Sequence, residues 1–267
     1  MKKTFLVFLL FCTAVPQVFA DAAKQAFVTG DYSTAIETGR HENSAEGLTI
    51  ACRSNLIIGG FLTKDKSAAN YLHAAIKDCI QALELESDYF DAQISLAIAL
   101  SFEGKRIKSL HYPKVARQML EKLIQTHPEN AQTYGALAAW HSQVSAAGFF
   151  ARLALRASRD QAAQLFQEAR KQGVIDFPLT LEHLKFLAQG SNSDRQEALK
   201  LAEALIKYPT DTAFDRLLQK RSELLLSALN VGKKRDIKKA IQHASAFNEA
   251  VDWDDVDAFP KEEIPKN

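Results

Sequence analysis

The chain has 267 residues, with 33 basic and 32 acidic side chains, a near balance that argues against the basic surface a dedicated nucleic-acid binder carries. Eleven glycines and seven prolines, set among recurrent Ala, Leu, Lys, Glu and Gln, leave little room for a sheet and favour long helices joined by short turns. The expected class is all-α.

In chain order, Met1-Lys2-Lys3 is a short positive segment and Phe5 to Phe11 an unbroken apolar run. Pro16 and Gln17 then interrupt it, and Val18-Phe19-Ala20 suits signal peptidase. Residues 1–20 therefore read as a cleaved secretory signal, with Asp21 as the new terminus. A retained anchor would need about twenty apolar residues. Lipidation at Cys12 is disfavoured because Phe11 is bulky where a lipobox wants a small residue. Lys2 and Lys3 leave with the signal, so the mature chain carries 31 basic against 32 acidic residues. No stretch after Ala20 approaches spanning length, so no integral membrane span is expected.

From residue 21 to 250 the chain reads as one helical repeat domain. Gly30-Asp31-Tyr32, followed by Ala35-Ile36, has the form of a turn between two helices. Ser44 to Gly59 and Ser67 to Leu85 form the next hairpin, then Ser87-Asp88 reads as a junction. Asp91 to Phe102 repeats apolar residues at three- and four-residue intervals, the helical period. Arg106 to Pro113 reads as an inserted loop. Before Pro128, Leu123, Leu120 and Ala116 fall at five, eight and twelve residues; Ala82, Cys79 and Ala75 stand at the same offsets from Ser87. Pro209 shows the ladder less well, since Glu197 occupies a small-residue position. Leu181 to Ala188 is helical in period, Gly190 to Asp194 is a polar turn before a helix starting near Arg195, and Ala213 to Leu229 and Asp236 to Phe247 are two closing helices. The acidic run after Trp253, with Pro260 and Pro265, makes 251–267 a flexible tail.

These ladders, with Leu96, Ala97, Leu100 and Gly104 at first-helix positions, resemble the tetratricopeptide superfamily over most of residues 22 to 230. Units recur at roughly forty residues rather than the usual thirty-four. The segment from Tyr134-Gly135 through Trp140-His141 to Ala157-Ser158 is similar to divergent tetratricopeptide proteins of bacterial envelopes, and more faintly to regulator-of-microtubule-dynamics proteins. The resemblance implies a right-handed solenoid of antiparallel helix pairs, about five units with C-terminal capping helices, because one pair cannot bury its apolar face alone. An ordinary helical bundle is the alternative.

The mature chain keeps Cys52 and Cys79 in what would be an oxidising compartment. In an antiparallel hairpin turning near residue 65 they stand side by side, which predicts a disulfide; two buried thiols are the alternative. The seven histidines form no recognised ligand spacing, and no nucleophile elbow, phosphate loop or dinucleotide fingerprint is present. No catalytic residue, metal or cofactor is expected.

The expected function is that of a non-enzymatic interaction scaffold in the cell envelope, in the periplasm or else secreted or membrane-associated. Its partner would be a protein or peptide held in the concave groove. The resemblance places Asp91, Ile94, Ile98, Ser101 and Phe102 on that groove, with Gln132, Ala139, Ser142 and Gln143 from the next unit. The same apolar residues would otherwise pack on a capping helix. A small-ligand carrier, or an enzyme acting on glycan or peptide, are the other classes.

Overall fold

Seven of the helix starts are written in side-chain oxygens. Asp31, Ser44, Asn130, Ser158, Asp176, Ser191 and Thr212 each accept a hydrogen bond from a backbone N–H of the turn that follows, satisfying donors that a helix terminus leaves free. Ser191 and Thr212 complete capping boxes with Asp194 and Asp215. The computed structural model describes residues 16–173 and 176–265, and the elements between these caps are helical.

In order they are α1 (Pro16–Thr29), α2 (Tyr32–Glu42), α3 (Ala45–Ile57) running into a π turn (Ile58–Leu62), α4 (Ser67–Leu85), α5 (Phe90–Arg106), α6 (His111–Thr126), α7 (Ala131–Ala146), a short α8 (Phe149–Ala154), α9 (Arg159–Gln172), α10 (Phe177–Ala188), α11 (Asn192–Leu205), α12 (Ala213–Val231) and α13 (Lys234–His243). Two 3-10 turns follow, Trp253–Asp255 and Lys261–Glu263. The described residues contain no strand, and no helix among them is long and apolar enough to cross a membrane. Most of the expected signal segment, 1–15, lies outside the described residues.

Chain neighbours pack on one another from α1 to α8 and from α10 to α13; α7 reaches past α8 to α9 and α10, and α9 meets α10 through Phe166 against His183 and Phe186. Alternate helices also touch: α1 with α3, α3 with α5, α5 with α7, and α10 with α12. Small residues permit these approaches, with Ala68, Ala75, Ala97, Ala116, Ala162 and Ala202 fully buried between larger Leu72, Leu96, Leu100, Leu120 and Phe166. Cys52 and Cys79 stand at disulfide distance across α3 and α4, Cα to Cα 5.4 Å. Beside them Asp78 accepts from Arg40 at 2.8 and 2.9 Å and from Asn55 at 2.8 Å, tying α2, α3 and α4 together.

The series does not end open. α12 touches α1, and Gly30, at φ +92°, lies where a Cβ would come within 2.6 Å of Ala213 Cβ. Buried Arg221 of α12 donates to the His243 carbonyl and, at 3.2 Å, to that of Phe61. After α13 the chain crosses the ends of α3 and α5. Phe247 seats against Gly59 and Gly60, where a Cβ would meet its ring at 3.0 and 3.3 Å, and it stacks on Trp253 with centroids 5.2 Å apart.

The structure departs from the sequence expectation at two places. Arg106 does not open a loop: it ends α5 as one of the largest fully buried side chains, and only residues 107–110 link α5 to α6. The expected flexible tail is seated up to Ile264. Arg106 donates to the carbonyls of Trp253 (2.8 Å), Val256 (2.6 Å) and Asp257 (2.7 Å) and to both Glu103 carboxylate oxygens (2.8 Å each). Glu103 also accepts from the Phe259 N–H at 2.8 Å, Tyr112 donates to the Phe259 carbonyl, and Phe259 and Ile264 are buried.

A candidate binding cavity with a surplus of positive charge

Between α5, α7, α10 and α13 the structure encloses a cavity of about 1270 Å³, with α8 at its edge. Of the nine residues expected on a groove, Ser101, Phe102, Ser142 and Gln143 line it. The rest do not. Asp91 is exposed in the first turn of α5, Ile94 is half-buried against the main core, and Ile98 is half-buried. Ala139 is buried in the core, and Gln132 accepts from the Asp176 N–H at 3.3 Å. Ser101 spends its hydroxyl on the Ala97 carbonyl, 2.8 Å away in its own helix. Phe102 packs on Phe247, centroids 4.9 Å apart. The chain's own C-terminal segment thus covers the α3–α5 side, and the cavity is what that segment leaves uncovered.

The lining holds six basic residues, Lys105, Lys108, Lys185, Arg195, Lys234 and Lys238, against one acid, Glu182. Glu182 is already engaged: Lys185 donates to it, and Gln143 donates to its other oxygen at 3.0 Å. Lys185 is buried and also donates to Ser245 Oγ at 3.1 Å, joining α10 to the turn after α13. Arg195 Nε is enclosed with no hydrogen-bond partner among the described residues, an arrangement that costs on the order of 1–3 kcal/mol unless something completes it. Lys105 stands at the edge, open to water yet crowded by protein. That reduced hydration, with the Lys185 charge beside it, holds its pKa below the ordinary lysine value.

Apolar walls face these cations. Trp140 lines the cavity and donates from Nε1 to the Pro113 carbonyl at 3.0 Å, with Arg117 over its ring at 5.6 Å, so it serves as packing between α6 and α7. Its neighbour His141 is buried away from charge partners, and burial together with the Arg117 charge lowers its pKa to about 4. At the mouth, Phe150 and Leu153 of α8 line the cavity while 84% and 65% exposed. No group of three or more His, Cys, Asp or Glu among the described residues could hold a metal ion.

Sequence reasoning missed the cations because they come from four separate helices and the link between α5 and α6. The one local signal is in α13, where Lys234 and Lys238 alternate with Ile237 and Ile241 at helical spacing. Neither a scan against protein-family models nor a comparison with curated proteins finds a match for the chain.

Proposed function

We propose that this protein is a non-enzymatic scaffold of the tetratricopeptide type, exported to the periplasm, that holds a segment of another protein in the α5–α7–α10–α13 cavity. Contact between alternate helices, and small residues at the close approaches, support the solenoid reading. The absence of a membrane-crossing helix among the described residues and the Cys52–Cys79 pair are compatible with export.

The observation that carries the binding role is the cavity itself. Its volume, about 1270 Å³, exceeds the roughly 300–1,000 Å³ of small-molecule pockets, and two of its walls are helices on which the groove residues were expected. A photo-crosslinking residue placed at Gln143 should trap a recurrent protein partner in cells, while one at exposed Glu84 on α4 should not. Equal capture at both positions, or a co-purified small molecule displacing the crosslink, would remove the scaffold role.

A further inference from the structure

The cavity's chemistry narrows its occupant, provided that the cavity is a segment-binding groove as proposed above. The whole chain is nearly neutral, 33 basic against 32 acidic residues, so six cations beside one acid is a local concentration and not a reflection of composition. The single acid is taken up by Lys185 and Gln143. Among the described residues, Lys105, Arg195, Lys234 and Lys238 have no carboxylate within ion-pair distance. Lys108 reaches only Asp254, at 3.9 Å on the surface. These charges are spread over α5, α11 and α13, so one anionic headgroup would answer only part of them. An occupant with several carboxylates along its length answers more.

The apolar side of the same space is equally incomplete. Phe150 and Leu153 line the cavity and remain largely exposed, and Phe149 beside them is 61% exposed. Contiguous apolar surface of this kind marks a place that a partner covers.

We propose that the occupant is an acidic segment of another protein carrying large apolar residues, its carboxylates set against Lys105, Arg195 and Lys238 and its apolar side chains against Phe150 and Leu153. Charges of this kind set specificity and association rate. Crowding by protein and then the neighbouring Lys185 charge hold the Lys105 pKa below the ordinary lysine value, and Glu182 offsets this only in part.

A library of short random peptides displayed on phage, panned against the purified exported protein, tests this whatever the identity of the partner. Enriched peptides are expected to be net negative and to contain large apolar residues. A labelled enriched peptide, followed by fluorescence anisotropy, should bind about tenfold more weakly in roughly 0.5 M salt than at low salt. Binding should fall by about tenfold or more in the double variant Lys105→Glu, Lys238→Glu. Both substituted side chains are exposed, so an unchanged melting curve would certify the fold. Enrichment of neutral or basic peptides, or unchanged affinity in that variant, would overturn the acidic assignment and leave the groove standing. No enrichment would overturn both, and tight binding of laurate in that case would identify the cavity as a site for an anionic amphiphile.

Discussion

Two charged regions of this molecule, both reached from the end of α5, differ in how completely their charges are met. Around Arg106, every guanidinium N–H has an acceptor, from Glu103 or from a tail carbonyl, and neither side chain of that ion pair is exposed. One residue earlier in the chain, Lys105 lines a cavity with five other cations and one acid, and crowding by protein, then the nearby Lys185 charge, lower its pKa. Desolvated charges are retained in a fold when geometry satisfies them. Charges held near each other without partners cost stability, and they are better explained by what binds them. The first region is a structural clamp, and the second is the binding site proposed above.

The largest effect that sharpens this contrast is expected from Arg106→Ala. It leaves the Glu103 carboxylate buried and releases three backbone carbonyls, at a cost of about 3–5 kcal/mol. Chemical denaturation should report the loss, and hydrogen exchange should show residues 253–264 losing protection ahead of the helices. Opening the Cys52–Cys79 link, which spans 27 residues, should cost roughly 3–4 kcal/mol on the chain-entropy account. Intact mass after alkylation, with and without reduction, establishes the link. A melt of the reduced protein measures it, and peptide binding at the distant cavity should survive at temperatures where the fold does.

Acid should separate the two regions by pH. His141 and His183, on α7 and α10 beside the cavity, both have pKa values lowered to about 4, His183 chiefly by burial and then by the Arg170 charge. A histidine kept neutral by the fold contributes stability that is complete above its unfolded value near 6.5 and lost as pH falls toward 4. Each of the two contributes on the order of 3 kcal/mol. Burial alone would raise Glu103, but hydrogen bonds from His73, Arg106 and the Phe259 N–H outweigh it and bring its pKa down to about 2. Its stabilisation is present above pH 4.5 and lost only as pH falls through 2. Tryptophan fluorescence of Trp140 should therefore change at a higher pH than protection of the clamped tail. The smallest effect is expected from Lys105→Gln, less than about 0.5 kcal/mol in either direction, because that charge has no partner to lose. A loss comparable to Arg106→Ala would break the distinction between clamp and site.

Much of the helical layout is legible without coordinates. Ser44 and Thr212 cap the helices that the apolar period places after them, and Gly30-Asp31 forms the expected turn. The Cys52–Cys79 pairing follows from near-equal distance to one turn, so helical rise alone brings the two together. The candidate cavity was less legible. Ser142 and Gln143 line it, whereas Ile94 and Ala139 turn into the core, because the face a helix offers to solvent depends on what its neighbours leave uncovered.

Local chemistry in the chain thus determined the all-α class, most helix limits and the cysteine pair, since caps, turns and periodicity act over a few residues. Only the tertiary structure decided the fate of the C-terminal segment and the composition of the cavity. The tail is held largely through backbone carbonyls and a backbone N–H, which every residue type supplies, so its acidic, proline-bearing sequence carries no sign of the seat at Arg106. The cations of the cavity are brought together by packing from positions 105 to 238, and no spacing along the chain records that approach.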